Sequence, residues 1–526
     1  MSVVLRQYQK DALNDESIVA ILRKITATTD QPLTHSAPLV VAPTGAGKTR
    51  MFAAVAKWCH DKRLRVVILV PRREILRQTV SALNEADPSM GVGQIAAGRP
   101  MTGDLVQVAS IQTIVNRLAV CRRPDLIIVD EAHHSTLQNG LGKILSFWGE
   151  VPRLGFSATP QRLDGVGLRA IFDKLIQGPT LRWLVEEGFL AYPYVLQPPG
   201  AEGGEYHVTR GDFDLKEQEE VMAGRAIMGN VIAHYRQYLD GAPTICWCVS
   251  IEHAKVMAEA FREAGYQASA VWGNMDDTAR DRALGGLGDG TVQIVTFCDL
   301  IGEGVDIPAV TGVIMLRKTM SLSLCRQVVG RGLRPVYARG YGLDTPDGRK
   351  EAQKQGPKPR AIILDHVGNT TSAWGHGHPL TEPVWSLDSV KRKKGEKPPA
   401  TVTCPKCYGV WPGRPRTCPA CWYSFAGAEV EKRKAELVEI EGQLVEAGIE
   451  RDEAEGLAAF VRDANLADAK TRQKMLLGKA FSLALDDAEV EEVRKRKIAE
   501  LAKKVGYDEN WTRWAWEFAR KNVRRA

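Results

Sequence analysis

Residues 38–49 read Pro-Leu-Val-Val-Ala-Pro-Thr-Gly-Ala-Gly-Lys-Thr, an apolar run that enters a glycine-rich turn and ends on a lysine and a hydroxyl. That is the GxxxxGK[ST] pattern with Ala42 in place of its first glycine, and a turn of this composition holds phosphate. The backbone over Thr44, Gly45, Ala46 and Gly47 can curl its N–H groups inward, Lys48 can reach the β- and γ-phosphates, and the Thr49 hydroxyl can ligate Mg²⁺ at the start of a helix. Asp130-Glu131-Ala132-His133 follows a second apolar run. Asp130 is placed to hold Mg²⁺ through water and Glu131 to orient an attacking water, the two carboxylate roles that phosphoryl transfer needs. Upstream, Gln9 in Leu5-Arg6-Gln7-Tyr8-Gln9 offers the acceptor and donor pair that reads an adenine edge. Far downstream, Arg331 and Arg334 stand three apart in Gln327–Pro335, on one side of a helical turn, where they can stabilise charge on a transferring phosphoryl group. Ser157 and Thr159 end a further apolar run and suit a hydrogen-bond relay rather than chemistry of their own.

These residues need elements that hold them at strand ends. The apolar runs at 38–41, 65–70, 106–109, 126–129 and 153–156 alternate with helical stretches, as do those at 244–249, 269–272 and 292–297. Continuous apolar strands separated by helices predict parallel sheets covered on both faces, with the ligand at the carboxyl ends of the strands. The second series has no phosphate loop.

At 526 residues and 44% hydrophobic composition, the chain exceeds one core, and several domains are expected. The longest apolar runs are too short to span a bilayer, and the first residues lack a secretory pattern, so a soluble, cytoplasmic protein with no membrane partner is expected. Of the ten cysteines, Cys59, Cys121, Cys246, Cys248, Cys298 and Cys325 are scattered in apolar segments and read as reduced core thiols. Cys404, Cys407, Cys418 and Cys421 form two CxxC pairs ten residues apart, a set suited to four thiolates around structural Zn²⁺. The net charge of +7 resides in residues 390–426, which suggests an acidic polymer as partner. Tyr408, Trp411, Trp422, Tyr423 and Phe425 add flat rings there, either to stack on bases or to cover a small metal-stapled core.

Leu5–Gln9, Ala42–Thr49, Asp130–His133, Ser157–Thr159, Gly304–Asp306 and Gln327–Arg334 resemble, in order and spacing, the motifs of superfamily 2 helicases and translocases over roughly residues 1–368. The resemblance implies an α/β fold of two tandem RecA-like parallel-sheet domains with ATP between them. It gives Gln9 to adenine, Lys48 and Thr49 to phosphate and Mg²⁺, Asp130 and Glu131 to Mg²⁺ and water, Arg331 and Arg334 to the γ-phosphate, and adds Gly304 and Asp306 to the nucleotide site. Gly-Arg-Gly-Leu-Arg-Pro is closer to the DNA-acting branch, which includes restriction-enzyme translocases, than to DEAD-box proteins. Leu364–Asn369, Trp374–Gly377 and Trp385-Ser386-Leu387 look similar to helicases carried by phages and prophages.

The domain reading is 1–195 and 226–368 for the two sheets, 196–225 a linker or insertion, 369–400 a linker, 401–426 a zinc ribbon and 427–526 a helical domain. His376 and His378 read as structural histidines before metal ligands. In the last helix Trp511, Trp514 and Phe518 share a face, expected to pack on neighbouring helices, with a protein partner as the alternative. An ATP-dependent DNA helicase or translocase is expected; the rival readings are a nucleic-acid-stimulated ATPase that remodels protein–DNA complexes and an RNA helicase.

Overall fold

A computed structural model describes residues 4–27, 36–134, 140–162, 166–199, 206–209, 212–222, 225–298, 307–371, 375–389, 399–413, 415–425 and 491–523, with a few positions between 457 and 479. Gly304, Asp306 and the basic run at 391–398 lie outside the described residues.

The first sheet consists of β1 (Pro38–Val41), β2 (Val66–Val70), β3 (Val92–Ile95), β4 (Val106–Ser110), β5 (Leu126–Val129), β6 (Arg153–Ser157) and β7 (Lys174–Gln177). Their order is β3-β4-β2-β5-β6-β1-β7 and every pairing is parallel. β1, β2 and β5 are buried at every residue, the reason they read as unbroken apolar runs rather than alternating ones.

The second sheet takes β8 (Pro193–Leu196), β11 (Thr244–Trp247), β12 (Ala268–Val271), β13 (Ile294–Phe297), β14 (Gly312–Met315) and β15 (Ala361–Asp365), in the parallel order β12-β13-β11-β14-β15-β8. β8 therefore belongs to the second sheet, although a boundary at residue 195 would cut it; its alternation partner lies far along the chain and leaves no local trace. The stretch from 196 to 225 holds a hairpin of β9 (Val208–Thr209) and β10 (Asp212–Phe213) and a helix, Leu215–Met222. It is docked: the Asp212 carboxylate accepts from Met320 N (2.6 Å) and Thr319 Oγ1 (2.8 Å), and Gln218 Oε1 accepts from Lys318 N (2.8 Å).

Two expectations are corrected downstream. Residues 375–389 do not behave as a linker, because Leu387 is buried in the first-sheet core with Leu168 and Phe172. Nor is the ribbon held apart from the motor. Its hairpin of β16 (Thr401–Thr403) and β17 (Val410–Pro412) sits on the outer edge of β8: Gly409 bridges Leu196, Gln197 N donates to Tyr408 O (2.9 Å), and the Trp411 and Tyr194 rings lie 5.9 Å apart. An open strand edge offers unpaired backbone groups, and the hairpin covers them.

Residues 416–526 form a separate compact unit. In it the helices Glu491–Lys504 and Glu509–Val523 pack around Leu457, Val461, Leu476, Ile498, Leu501, Val505 and Trp516. The aromatic face is thus only partly the expected one. Trp516 is in the core and Trp511 packs against it, whereas Trp514 and Phe518 stack on each other with 47% of each exposed. Among the described residues no helix is long and apolar enough to cross a membrane.

Candidate nucleotide site and metal centre

β1 delivers its chain into the turn at 42–47, and the helix Lys48–Asp61 begins at once, with Gly47 at its N-cap in the left-handed region (φ 79°). A side chain at Gly47 would also stand 2.4 Å from Gln9 Nε2, so the turn needs glycine twice over. The turn opens on a cleft of about 980 Å³ lined by Gln9, Thr44, Gly45, Gly47, Lys48 and Thr49 on one side, Asp130 and Glu131 at the end of β5, and Arg331 and Arg334 from the second lobe. The residues singled out in the sequence thus converge, apart from Gly304 and Asp306 outside the described residues and Ala46 behind the turn. The Ala46 carbonyl accepts from Tyr8 Oη (2.9 Å) and Gln9 Nε2 (3.0 Å).

That contact changes the picture of Gln9. Its side-chain oxygen accepts from Arg6 N (2.9 Å) and its amide nitrogen donates to the Ala46 carbonyl of the turn, so the side chain clamps the turn to the first helix. Tyr8, which the sequence reading left unassigned, supports the clamp from a ring cluster with Trp183 and Phe189.

The charges in the cleft act on each other. Lys48 Nζ donates to the turn's own carbonyls, Ala42 O (3.1 Å) and Pro43 O (3.5 Å). Burial pulls its pKa below the ordinary lysine value; Glu131 and Asp130 oppose that shift, and Arg331 and Arg334 reinforce it. Glu131 has a left-handed backbone (φ 46°), uncommon for a residue with a side chain, and its N–H turns back onto Asp130 Oδ1 (2.9 Å).

The helix Leu322–Arg331 joins the lobes. Gln327 Nε2 donates to His133 Nε2 (2.8 Å), which leaves the proton on Nδ1, facing Ser157 Oγ (3.1 Å) and Glu131 Oε2 (3.3 Å). One turn earlier, Ser323 Oγ lies 2.6 Å from Thr159 Oγ1, both buried. Ser323, Gln327 and Arg331 are four apart and all buried, one stripe of the helix turned to the first lobe. That spacing was readable from the arginine backwards. Gly330 completes the approach: a Cβ there would stand 2.7 Å from Thr44 Cβ in the phosphate turn.

The four sulfurs of Cys404, Cys407, Cys418 and Cys421 lie within 4.8 Å of one another, the single group of potential metal ligands among the described residues. Tetrahedral Zn–S bonds of about 2.3 Å would place the sulfurs about 3.8 Å apart, so the set fits the ion. The two knuckles repeat one geometry. Tyr408 N donates to Cys404 O (2.8 Å) and Trp422 N to Cys418 O (2.9 Å), with both aromatic residues left-handed. His376 and His378 are elsewhere: His376 Nε2 meets Thr319 O (2.9 Å), and buried His378 Nδ1 accepts from Leu380 N (3.2 Å).

Two family models match this chain: type III restriction enzyme, res subunit, over residues 2–162, and helicase conserved C-terminal domain over residues 228–336. A 51.5 kDa protein of a Lactococcus phage is 29% identical over 78% of this chain and 84% of its own length. A Saccharomyces cerevisiae protein bearing the name of an ATP-dependent helicase, IRC3, is 27% identical over 64% of this chain and 50% of its own. The type I restriction enzyme EcoKI endonuclease subunit of Escherichia coli is 24% identical over 63% of this chain and 33% of its own. The chain thus spans half or less of the length of the last two.

Proposed function

The chain belongs to the superfamily 2 helicases, and from that premise we propose that it couples ATP hydrolysis in the cleft between its lobes to movement along DNA. The observation that carries this reading is the convergence of Lys48, Asp130 and Glu131 from one lobe with Arg331 and Arg334 from the other on a single cleft.

In this mechanism the N–H groups of the 44–49 turn cradle the phosphates, and Lys48 Nζ exchanges its bonds to the Ala42 and Pro43 carbonyls for phosphate oxygens. Thr49 and Asp130 would hold Mg²⁺, which when bound neutralises phosphate charge. Glu131 orients the attacking water, its carboxylate 3.3 Å from His133 Nδ1. Arg331 and Arg334 stabilise the charge that develops on the transferring group, but only while the lobes are together. His133–Gln327 and Thr159–Ser323 make hydrolysis and lobe closure one event, because loss of the γ-phosphate removes what Arg331 and Arg334 hold.

DNA is the favoured polymer because the matched family model and the EcoKI relative are named for restriction enzymes. ATP hydrolysis by the full-length chain should rise with single- or double-stranded DNA well above its response to RNA of the same sequence. A tailed duplex with a labelled strand then separates unwinding from translocation. Equal or greater stimulation by RNA would overturn the DNA assignment, and no stimulation by either would overturn the motor.

The four cysteines are assigned to Zn²⁺. Metal analysis should find about one zinc per chain, and Cys418→Ser should remove it and open the ribbon, whose folding rests on the metal. Because the hairpin covers β8, that variant should also lower the melting temperature of the motor while leaving DNA-independent ATP hydrolysis in place. Absence of zinc in the purified protein overturns the assignment.

A further inference from the structure

Residues 381–389 return from the second lobe and run across to the first. At their start, Glu382 Oε2 pairs with Arg326 Nη1 (3.4 Å), and Glu382 Oε1 accepts from Leu181 N (2.6 Å) at the beginning of the helix Leu181–Glu186 that follows β7. Arg326 also donates to the Thr381 carbonyl and lies over the Trp385 ring, 5.6 Å from its centroid. At their end, Leu387 is 2% exposed within the first-lobe core, and its carbonyl accepts from Arg169 N (3.0 Å). The Arg169 guanidinium meets both Asp388 oxygens (3.1 and 3.2 Å), and Ser389 Oγ accepts from Gly167 N (3.0 Å). The chain is flush against Gly167, where a Cβ would stand 2.1 Å from Leu387 O.

Arg326 belongs to the same helix as Ser323, Gln327 and Arg331. Its side chain is 15% exposed, and burial lowers its pKa from the ordinary arginine value, opposed by Glu382. Of the helix's links to the first lobe, Ser323, Gln327 and Gly330 meet residues of the nucleotide motifs themselves. Arg326 is different: it reaches the first lobe through a peptide segment more than 300 residues beyond the phosphate turn in sequence.

We propose that residues 381–389 form a strap that sets the position of the Leu322–Arg331 helix over the phosphate turn, with Arg326 and Glu382 as positioning residues for Arg331 and Arg334. The proposal rests on the reading of the cleft as the ATPase site. It attributes the placement of the arginines to a segment that does not line the cleft. A displacement of about 1 Å at the reacting groups is enough to change turnover by up to about a hundredfold.

The test uses the full-length chain under saturating DNA, with circular dichroism and thermal melting beside ATP kinetics. Glu382→Ala removes the partner of Arg326, and Gly167→Ala lifts the strap from the first lobe without touching Arg326 or the cleft. Each should lower kcat about tenfold with KM for ATP within about twofold, the pattern of an interaction realised in the transition state. The double variant should fall little further than either single one, because both disable one device. Glu382→Gln, which keeps an oxygen for Leu181 N, serves as the conservative change and should show a smaller loss of kcat with a native melt. A segment that only stabilises the fold would lower the melting temperature and leave kcat unchanged. Unchanged kcat in folded Gly167→Ala or Glu382→Gln overturns the strap, provided that Lys48→Ala abolishes turnover; persistence of turnover in Lys48→Ala overturns the cleft assignment instead.

Discussion

The two lobes share a parallel-sheet plan but contribute to the cleft by different means. The first offers a backbone turn, whose N–H groups are fixed by glycine at 45 and 47 and by the Gln9–Tyr8 clamp on Ala46, with Lys48, Asp130 and Glu131 beside it. The second offers only side chains, Arg331 at the end of the helix Leu322–Arg331 and Arg334 just past it, placed by what that helix touches. A site of the first kind is complete when one lobe folds, and a site of the second kind exists only when two lobes meet. Binding and hydrolysis can therefore be separated by mutation, and that separation is what the variants below probe.

The largest effects should come from the charges that face each other. Lys48→Ala should lose both nucleotide binding and turnover, whereas Arg331→Ala should keep binding and lose about a thousandfold in kcat. Equilibrium binding of a fluorescent ATP analogue beside steady-state hydrolysis distinguishes the two. If Arg331→Ala weakens binding as much as Lys48→Ala does, the division between lobes is wrong.

Acid should divide the lobes next. In the second lobe, burial holds His253 at about 4 and His366 at about 3, against an ordinary 6.5. Both rings are neutral in the fold, so as pH falls below 6.5 the unfolded chain binds protons first. The stability present above pH 6.5 is then lost progressively as pH falls, towards about pH 4 for His253 and about pH 3 for His366, on the order of 3 to 5 kcal/mol per ring. Melting followed by Trp247, buried in the second sheet, should fall with acid more steeply than that of a His253→Gln variant. Equal slopes would remove the histidines from the account.

Gly330→Ala places a methyl against Thr44 and should cost about tenfold in kcat by holding the helix off the turn, with the fold retained. Ser323→Ala removes a single hydroxyl contact with Thr159, worth about 1 kcal/mol, and should lower DNA-stimulated kcat by a few fold. A larger loss from Ser323→Ala than from Gly330→Ala would put the hydroxyl link, not the close approach, in control of closure.

What was legible in the sequence follows the same division. The phosphate turn and Asp130-Glu131 could be read because their geometry is encoded in consecutive residues and ends strands that are apolar throughout. Arg331 and Arg334 could be read as a pair, and Ser323 and Gln327 follow from the same helical pitch. Gln9 could be read as a cleft residue, but its contacts with Arg6 and Ala46 could not, because sequence displays an amide's capacity and not which neighbour lies nearest. The 375–389 segment gave no signal of its packing: its apolar contacts, Trp385 and Leu387, have no period, and their partners Leu168 and Phe172 lie more than 200 residues earlier. In the last helix, four aromatic residues within eight positions leave the pitch ambiguous, and packing selected Trp516 over Trp514.

The placement of β8 has a consequence for biosynthesis. It leaves the ribosome before every other strand of its sheet, yet it pairs with β15 on one side and is covered by the residue 409 bridge on the other. At about 5–20 residues per second, roughly ten to thirty seconds pass between the emergence of residue 193 and that of residue 361. Throughout that interval an apolar strand, Pro-Tyr-Val-Leu, waits beside a first sheet whose strands have all emerged, with both of its own hydrogen-bonding edges open. Nascent chains arrested before residue 361 should accordingly engage chaperones and aggregate, and those released after residue 412 should not.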